Sequence, residues 1–294
     1  MAVSDAGAAT ASRIERLLPR DAEALCPLSI EAGWNQVAAD WRLMLELGWG
    51  YGVRGPKNQW IASALVLPLG PAISWISMVL VTEPVRGHGL GTHLLSRCIA
   101  EIEQGGAAAG LDATELGRPI YLSLGFRDVF PLSRWSALPA VRYAVAPPDG
   151  ISIRAATPGD LQGICAYDRS RSGFARSPIV SHLLGRAPAL ARIAVRADGA
   201  LTGYALGRDG YRALHVGPVV AEDEAIGLAL LSSTLADADQ PVVADVPGRH
   251  GVVGQWLAQQ GASAPRSFTR MVRGGRVRID DGKHIYTLAG PELA

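Results

Sequence analysis

The stretch Val81-Thr-Glu-Pro-Val-Arg-Gly-His-Gly-Leu-Gly-Thr92 constrains the fold more than any other, because it separates a strand-like run from a helix-like run. Ahead of it, Ile73 to Val81 is rich in Ile, Val, Leu and Trp, the residues of a buried strand. Behind it, Thr92 to Glu103 places Leu94, Leu95, Cys98, Ile99 and Ile102 at helical spacing. Gly87, Gly89 and Gly91 strip side-chain bulk from the connection and admit positive φ, so backbone can come close to a ligand. The first turn of the helix adds free N–H groups and the positive end of its dipole. Arg86, Gly87, His88, Gly89, Leu90, Gly91 and Thr92 therefore read as an anion site suited to a diphosphate. Arg86 would add charge-assisted hydrogen bonds and His88 its backbone, with the imidazole toward solvent. A dinucleotide fingerprint would need Gly where Thr92 stands, and a GxxxxGK[ST] loop needs a lysine that this region lacks. Taken alone, the loop is equally a plain glycine-rich turn before a helix.

The surrounding text falls into two halves. Residues 22–47 read as helical with a break near Pro27, followed by adjacent antiparallel strands at Gln59–Leu67 and Ile73–Val81. After the helix comes a short buried strand at Ala109–Asp112, then a helix ending at Gly125. Val145-Ala-Pro-Pro-Asp-Gly150 opposes both helix and strand and is the linker candidate. The text then restarts with a strand at Ile151 and a helix start at Thr157-Pro-Gly-Asp160. Strands at Arg192–Arg196, Leu201–Gly207 and Ala213–Val220 follow, then a helix over Glu222–Leu235, a strand at Val242–Asp245 and a helix over Val252–Gln260. The order of elements thus occurs twice, which gives domains at 12–144 and 151–294 around a linker at 145–150.

A second motif lies downstream of the loop: Pro119-Ile-Tyr121-Leu-Ser-Leu-Gly125-Phe126. Together, Arg86-x-x-Gly89-x-Gly91 and Tyr121-x-x-x-Gly125-Phe126 resemble the GNAT superfamily of acetyl-CoA-dependent N-acetyltransferases, over roughly residues 12 to 142. The resemblance implies an α/β fold with a mixed α+β sheet. Each of two tandem GNAT-like domains would be a mostly antiparallel sheet with a splayed pair of parallel strands, flanked by helices. It implies acetyl-CoA as co-substrate, its pantetheine arm lying between the splayed strands and bonded by backbone around Leu80 and Val81. Tyr121 would sit near the sulfur and protonate the leaving thiolate as general acid.

The acceptor pocket is implied by the family's early helical region, which here carries Trp34, Asn35 and Gln36, with Asp40-Trp41 just beyond. Trp75 and Ser77 alternate onto one face of the first splayed strand. Aromatic walls with amide donors suit a small, partly apolar primary amine; tryptophans packing helix on sheet are the alternative. Many family members carry the base as a carboxylate on that strand, but Trp75-Ile-Ser-Met-Val-Leu-Val81 has none. Glu83, Asp40, Asp112 and a water held by Ser77 stay open for the role. Cys26, Cys98 and Cys165 lack a nucleophile setting, which favours direct attack by the amine over an acyl-enzyme. In the second half the counterpart loop is expected after Val216. There Gly217-Pro-Val-Val-Ala-Glu-Asp-Glu224 lacks the glycine motif and sets acids against a diphosphate. Leu257 stands where Tyr121 stands relative to its glycine. That half reads as a degenerate domain without cofactor binding, in which Asp245, Arg266 and Arg270 either reach the substrate or form salt bridges.

Composition narrows the rest. A net charge of +1 offers no general attraction to nucleic acid or an acidic membrane. The three scattered cysteines and unpaired histidines give no metal spacing, and no apolar run approaches the roughly 20 residues of a membrane span. The reading is a cytoplasmic monomer or homodimer acetylating a small-molecule amine with no metal. The alternatives are a non-catalytic acyl-CoA sensor and a scaffolding pair of domains.

Overall fold

The computed structural model describes residues 13–137, 141–275 and 282–294. The first half carries β1 (Ile14–Leu17), α1 (Ala22–Glu31), α2 (Ala38–Leu47), β2 (Trp49–Arg54), β3 (Trp60–Pro68), β4 (Ile73–Val81), α3 (Leu90–Gln104), β5 (Ala108–Thr114), α4 (Arg118–Ser123) and β6 (Arg127–Ala137). The second carries β7 (Ile151–Ala155), α5 (Leu161–Ser172), α6 (Ser177–Arg186), β8 (Arg192–Arg196), β9 (Leu201–Arg208) and β10 (Leu214–Ala221). It continues with α7 (Glu224–Ala236), β11 (Val242–Pro247), α8 (Gly251–Gln259), β12 (Ser263–Arg273) and β13 (Ile285–Thr287).

The break in the early helical text falls elsewhere than expected. Pro27 lies inside α1, and the chain turns instead at Gly33, whose φ is +70°. The Asp40 carboxylate then accepts the Val37 N–H at 2.9 Å and starts α2.

All thirteen described strands form one mixed sheet in the order β1-β2-β3-β4-β5-β12-β6-β11-β10-β9-β8-β7, with β13 on β10. The division at 145–150 runs along the chain, but in space the halves exchange strands. β12, from the second half, pairs antiparallel with β5 of the first, and β6 of the first pairs antiparallel with β11 of the second. β12 and β6 pair with each other between them. One apolar cluster accordingly joins Leu25, Trp41 and Trp75 of the first half to Phe174, Leu183 and Tyr204 of the second. Among the described residues no helix is long and apolar enough to cross a membrane.

Both halves open a gap between parallel strands. β4 pairs with β5 only from Ile73↔Ala108 to Trp75↔Gly110, and β10 with β11 only at Leu214↔Val242 and His215↔Val243. Each gap faces a bulge. On β4, Met78 and Val79 stand opposite Ala64 alone, and on β10, Gly217 and Pro218 stand opposite Leu206 alone. β10 runs to Ala221, close to the expected end at Val220, so the counterpart of the glycine loop is not the text after Val216 but the short turn Glu222-Asp223. There Asp223 caps α7 by accepting the Ile226 N–H at 2.9 Å.

The gaps differ in what fills them. In the second half β13 runs antiparallel along β10, and the Leu288 N–H donates to Asp245 O of β11 at 2.9 Å. A Cβ on Gly217 would meet Leu288 O at 1.8 Å, so the chain itself plugs this gap. Among the described residues no strand enters the gap between β4 and β5.

Candidate active site

The β4 bulge shapes the open gap. Met78 takes a φ of +50°, uncommon for a side chain of its size, and its carbonyl accepts the buried Ser63 hydroxyl at 2.7 Å. Beyond Trp75 and Gly110 the two strands diverge around a narrow cleft of about 40 Å³. Ile76, Ser77, Met78 and Val79 form its β4 wall, and Leu111, Asp112 and Thr114 its β5 wall. Tyr121 of α4 closes one side, and Trp34, Gln36, Arg134, Phe268 and Glu292 complete it.

At the far end of β4 the loop enters α3. Gly87 and Gly89 have φ of +80° and +79°, and a Cβ on either would meet nothing within 4 Å, so their demand is conformational rather than steric. Gly91 sits where a Cβ would approach Val81 Cγ2 at 3.2 Å, which lets the first turn of α3 press on the strand end. Gly89, Thr92, His93, Ser96 and Arg97 line an open hollow beside that turn.

Of the sequence-predicted residues, the structure brings Trp34, Gln36, Ser77 and Tyr121 onto the cleft. The other expected acceptor residues serve the join between halves. Asn35 is buried; its amide donates to Ala213 O at 2.8 Å and its side-chain oxygen accepts the Arg212 and Ala213 N–H groups at 2.8 and 3.1 Å. Trp75 is fully buried, donates to Pro291 O at 2.7 Å and lies under the Arg270 guanidinium, 4.6 Å from the ring centre. Leu80 and Val81 stand between cleft and loop, and Val81 O accepts from Arg86 Nε at 2.9 Å. Arg86 thus folds back on the strand end, 3.7 Å from Glu31, rather than toward the hollow. His88 likewise turns onto its own loop, donating from Nδ1 to Arg86 O at 2.9 Å.

Tyr121 packs edge-on against Phe126, the ring centroids 5.9 Å apart, which is the physical work of the Gly125-Phe126 pair. Burial pushes its phenol up to about 12, so it is a proton donor at neutral pH. Cys98 is buried in the core face of α3, and burial lifts its thiol to about 12, which removes it as a nucleophile.

The carboxylates divide sharply. Asp40 pairs with Arg208 at 2.8 Å and Arg186 at 3.0 Å, Asp112 with Arg270, and Glu83 lies exposed at the loop. Asp245 and Arg270 form salt bridges, while Arg266 lines the cleft. Sequence reasoning missed Glu292. It sits in the turn Pro291–Leu293, is 2% exposed, and has one oxygen bound by Arg208. Its signal was a lone acid in the apolar text Leu288-Ala-Gly-Pro-Glu-Leu-Ala294. Among the described residues no group of His, Cys, Asp and Glu could hold a metal ion.

A family model described as an acetyltransferase (GNAT) domain matches residues 164–287, the half without the glycine loop. The other half carries the loop, the bulged and splayed strands and Tyr121. The chain is similar to GNAT acetyltransferases in sequence and in fold. A Bacillus subtilis (strain 168) relative named "Uncharacterized N-acetyltransferase YitH" is 24% identical over 264 residues, covering 90% of this chain and 92% of its own. A solved Pyrococcus horikoshii structure superposes with a TM-score of 0.76 at 16% identity, over 99% of both chains. A tandem GNAT protein from the clavulanic acid biosynthesis pathway gives 0.61 at 15% identity, over 90% of this chain and all of its own. Those two likenesses establish the GNAT fold, and the family match and the N-acetyltransferase-named relative support an acyl-transferring enzyme.

Proposed function

We propose that this GNAT-like protein transfers the acetyl group of acetyl-CoA directly to a small primary amine. The observation that carries the proposal is the gap between β4 and β5, which opens onto Tyr121 at one end and leads to the glycine loop at the other. An extended pantetheine arm fits a gap of this kind, because diverging strands leave backbone hydrogen-bonding groups without a neighbour. The amides at the start of α3 fit a diphosphate, with Gly87 and Gly89 keeping side chains out of its way. Bound acetyl-CoA would supply an activated thioester.

The residues of the chain do the rest. Trp34 and Phe268 keep water from the cleft, and Tyr121 holds the proton that a departing thiolate needs. A small-molecule acceptor suits a cleft of about 40 Å³ and a net charge of +1, neither of which suits a nucleic acid. A non-catalytic acyl-CoA sensor is the second reading, favoured by the lack of a carboxylate on β4. A thiol-release assay with acetyl-CoA and a panel of amines decides between them: turnover is expected, and tight acetyl-CoA binding without turnover would support the sensor.

A further inference from the structure

Two residues that line one cleft each carry a buried acceptor with no hydrogen-bond partner among the described residues: Gln36 Oε1 and Glu292 Oε2. Leaving such groups unpaired is unfavourable, most of all for a charged one. An ionised carboxylate and an amide oxygen both accept, so a donor with more than one N–H entering the cleft would answer both. The site is built around them. Arg208, fully buried, binds Glu292 Oε1 with one nitrogen and Asp40 at 2.8 Å with another, which fixes the carboxylate and leaves Oε2 over. Gly290 makes room, since a Cβ there would lie 2.9 Å from both Glu292 oxygens.

Resting on the acetyltransferase reading, we propose that Gln36 and Glu292 receive the ammonium of the acceptor and that Glu292 takes its proton. The proton passes from the ammonium to Oε2, and the freed amine nitrogen attacks the thioester carbonyl. The C–N bond forms as the C–S bond breaks, and the thiolate takes the Tyr121 proton. The second amine proton restores the phenol, and Glu292 releases its own to solvent. The second half thereby supplies the base that β4 lacks. Burial raises the Glu292 carboxyl against the pull of Arg208, and Asp40 raises it further, while Arg134 opposes them. Arg266, at the same cleft, has Arg134 and Arg212 as like-charged neighbours, so the acceptor carries one ammonium and no second positive charge.

The test uses the full chain with n-butylamine, 2-phenylethylamine, glycine, glucosamine and putrescine, following acetylation and, by calorimetry, amine binding. Glu292→Gln keeps an acceptor for Arg208 and should lower kcat by about 100-fold or more with acetyl-CoA affinity unchanged. The wild-type rate should fall as pH drops through the raised carboxyl value, and the variant should lose that limb. Should Glu292→Gln not fold, Gln36→Leu leaves the Arg208 pairs intact and should weaken amine binding alone. Putrescine should be acetylated more slowly than n-butylamine, its equal in length; equal rates would overturn the single-charge requirement. Wild-type turnover matched by both variants, acid limb included, would overturn the proposal and leave the transferase reading standing. Amine binding without turnover, lost in Glu292→Gln, would do the reverse. Neither binding nor turnover with any amine would overturn both.

Discussion

Arg270 of β12 grips Asp112 of β5 through two hydrogen bonds of 2.9 Å, with both side chains buried. The two residues stand directly opposite in the antiparallel register, so the pair locks a strand of the second half to a strand of the first. Its counterpart is Arg134 of β6 on Asp245 of β11, at 2.8 and 2.7 Å, again in direct register. Removing one partner of a buried pair strands a charge and costs about 3–5 kcal/mol. Arg270→Ala should lower the urea midpoint accordingly, while Arg270→Met with Asp112→Leu should recover most of the loss. The full chain should melt in one transition, and a chain ending at residue 144, deprived of β12 and β11, should not fold. A cooperative transition in that fragment, followed by circular dichroism, would refute the strand-exchange argument.

Gly110 marks where β4 and β5 part, because a Cβ there would lie 2.4 Å from the Trp75 ring. Overpacking of this kind costs about 1–3 kcal/mol. Gly110→Ala should destabilise by that amount, and Trp75→Leu should relieve the clash. A double-mutant cycle in denaturant should show the two substitutions coupled; additive effects would mean that the ring does not set the splay.

Gly89→Val places a β-branched residue at a φ of +79° where there is space but the conformation is unfavourable. The strain is about 1–2 kcal/mol, so the fold should survive while the loop shifts. Acetyl-CoA affinity, read by calorimetry, should fall at least about tenfold, the equivalent of about 1.4 kcal/mol. Wild-type protein should bind one acetyl-CoA per chain, since β13 occupies the second gap.

Tyr121→Phe should lower kcat by about 100-fold with little change in KM, as expected for a proton donor used in the reaction rather than in binding. Because burial holds the phenol near 12, the wild-type rate should show no Tyr121 alkaline limb below about pH 11. Turnover unchanged in the variant would remove the general-acid role.

His215 is fully buried on β10 and donates from Nε2 to Leu288 O at 3.1 Å, beside the plug. Burial, with Arg208 nearby, lowers it to about 3. The unfolded chain takes up a proton near pH 6.5 that the folded chain refuses, so stability falls as pH drops from about 6.5 toward 3. His215→Gln should lessen the fall in melting midpoint between about pH 7 and 5; an equal fall would place the acid sensitivity elsewhere.

The glycine loop, β4, α3 and the Tyr121 motif were legible in the sequence because each depends on neighbours in the chain. Glycine sets local φ, apolar spacing sets a helix face, and Phe126 supports Tyr121 from five residues away. Gln36 and Ser77 were expected at the cleft from the family resemblance, and both line it. Asn35 and Trp75 were expected there on the same grounds, yet their partners Ala213 and Pro291 lie across the exchange of strands. Nothing near them in sequence announces such contacts. The same holds for β12 between β5 and β6, for β13 in the second gap, and for Glu292 at the open one. Sequence alone determined where a glycine loop would join β4 to α3; tertiary structure decided which gap stayed open and which carboxylate lay beside it. The first follows from backbone freedom within a few residues, the second from pairing between strands distant in the chain, such as Val219 with Thr287 and Asp112 with Arg270.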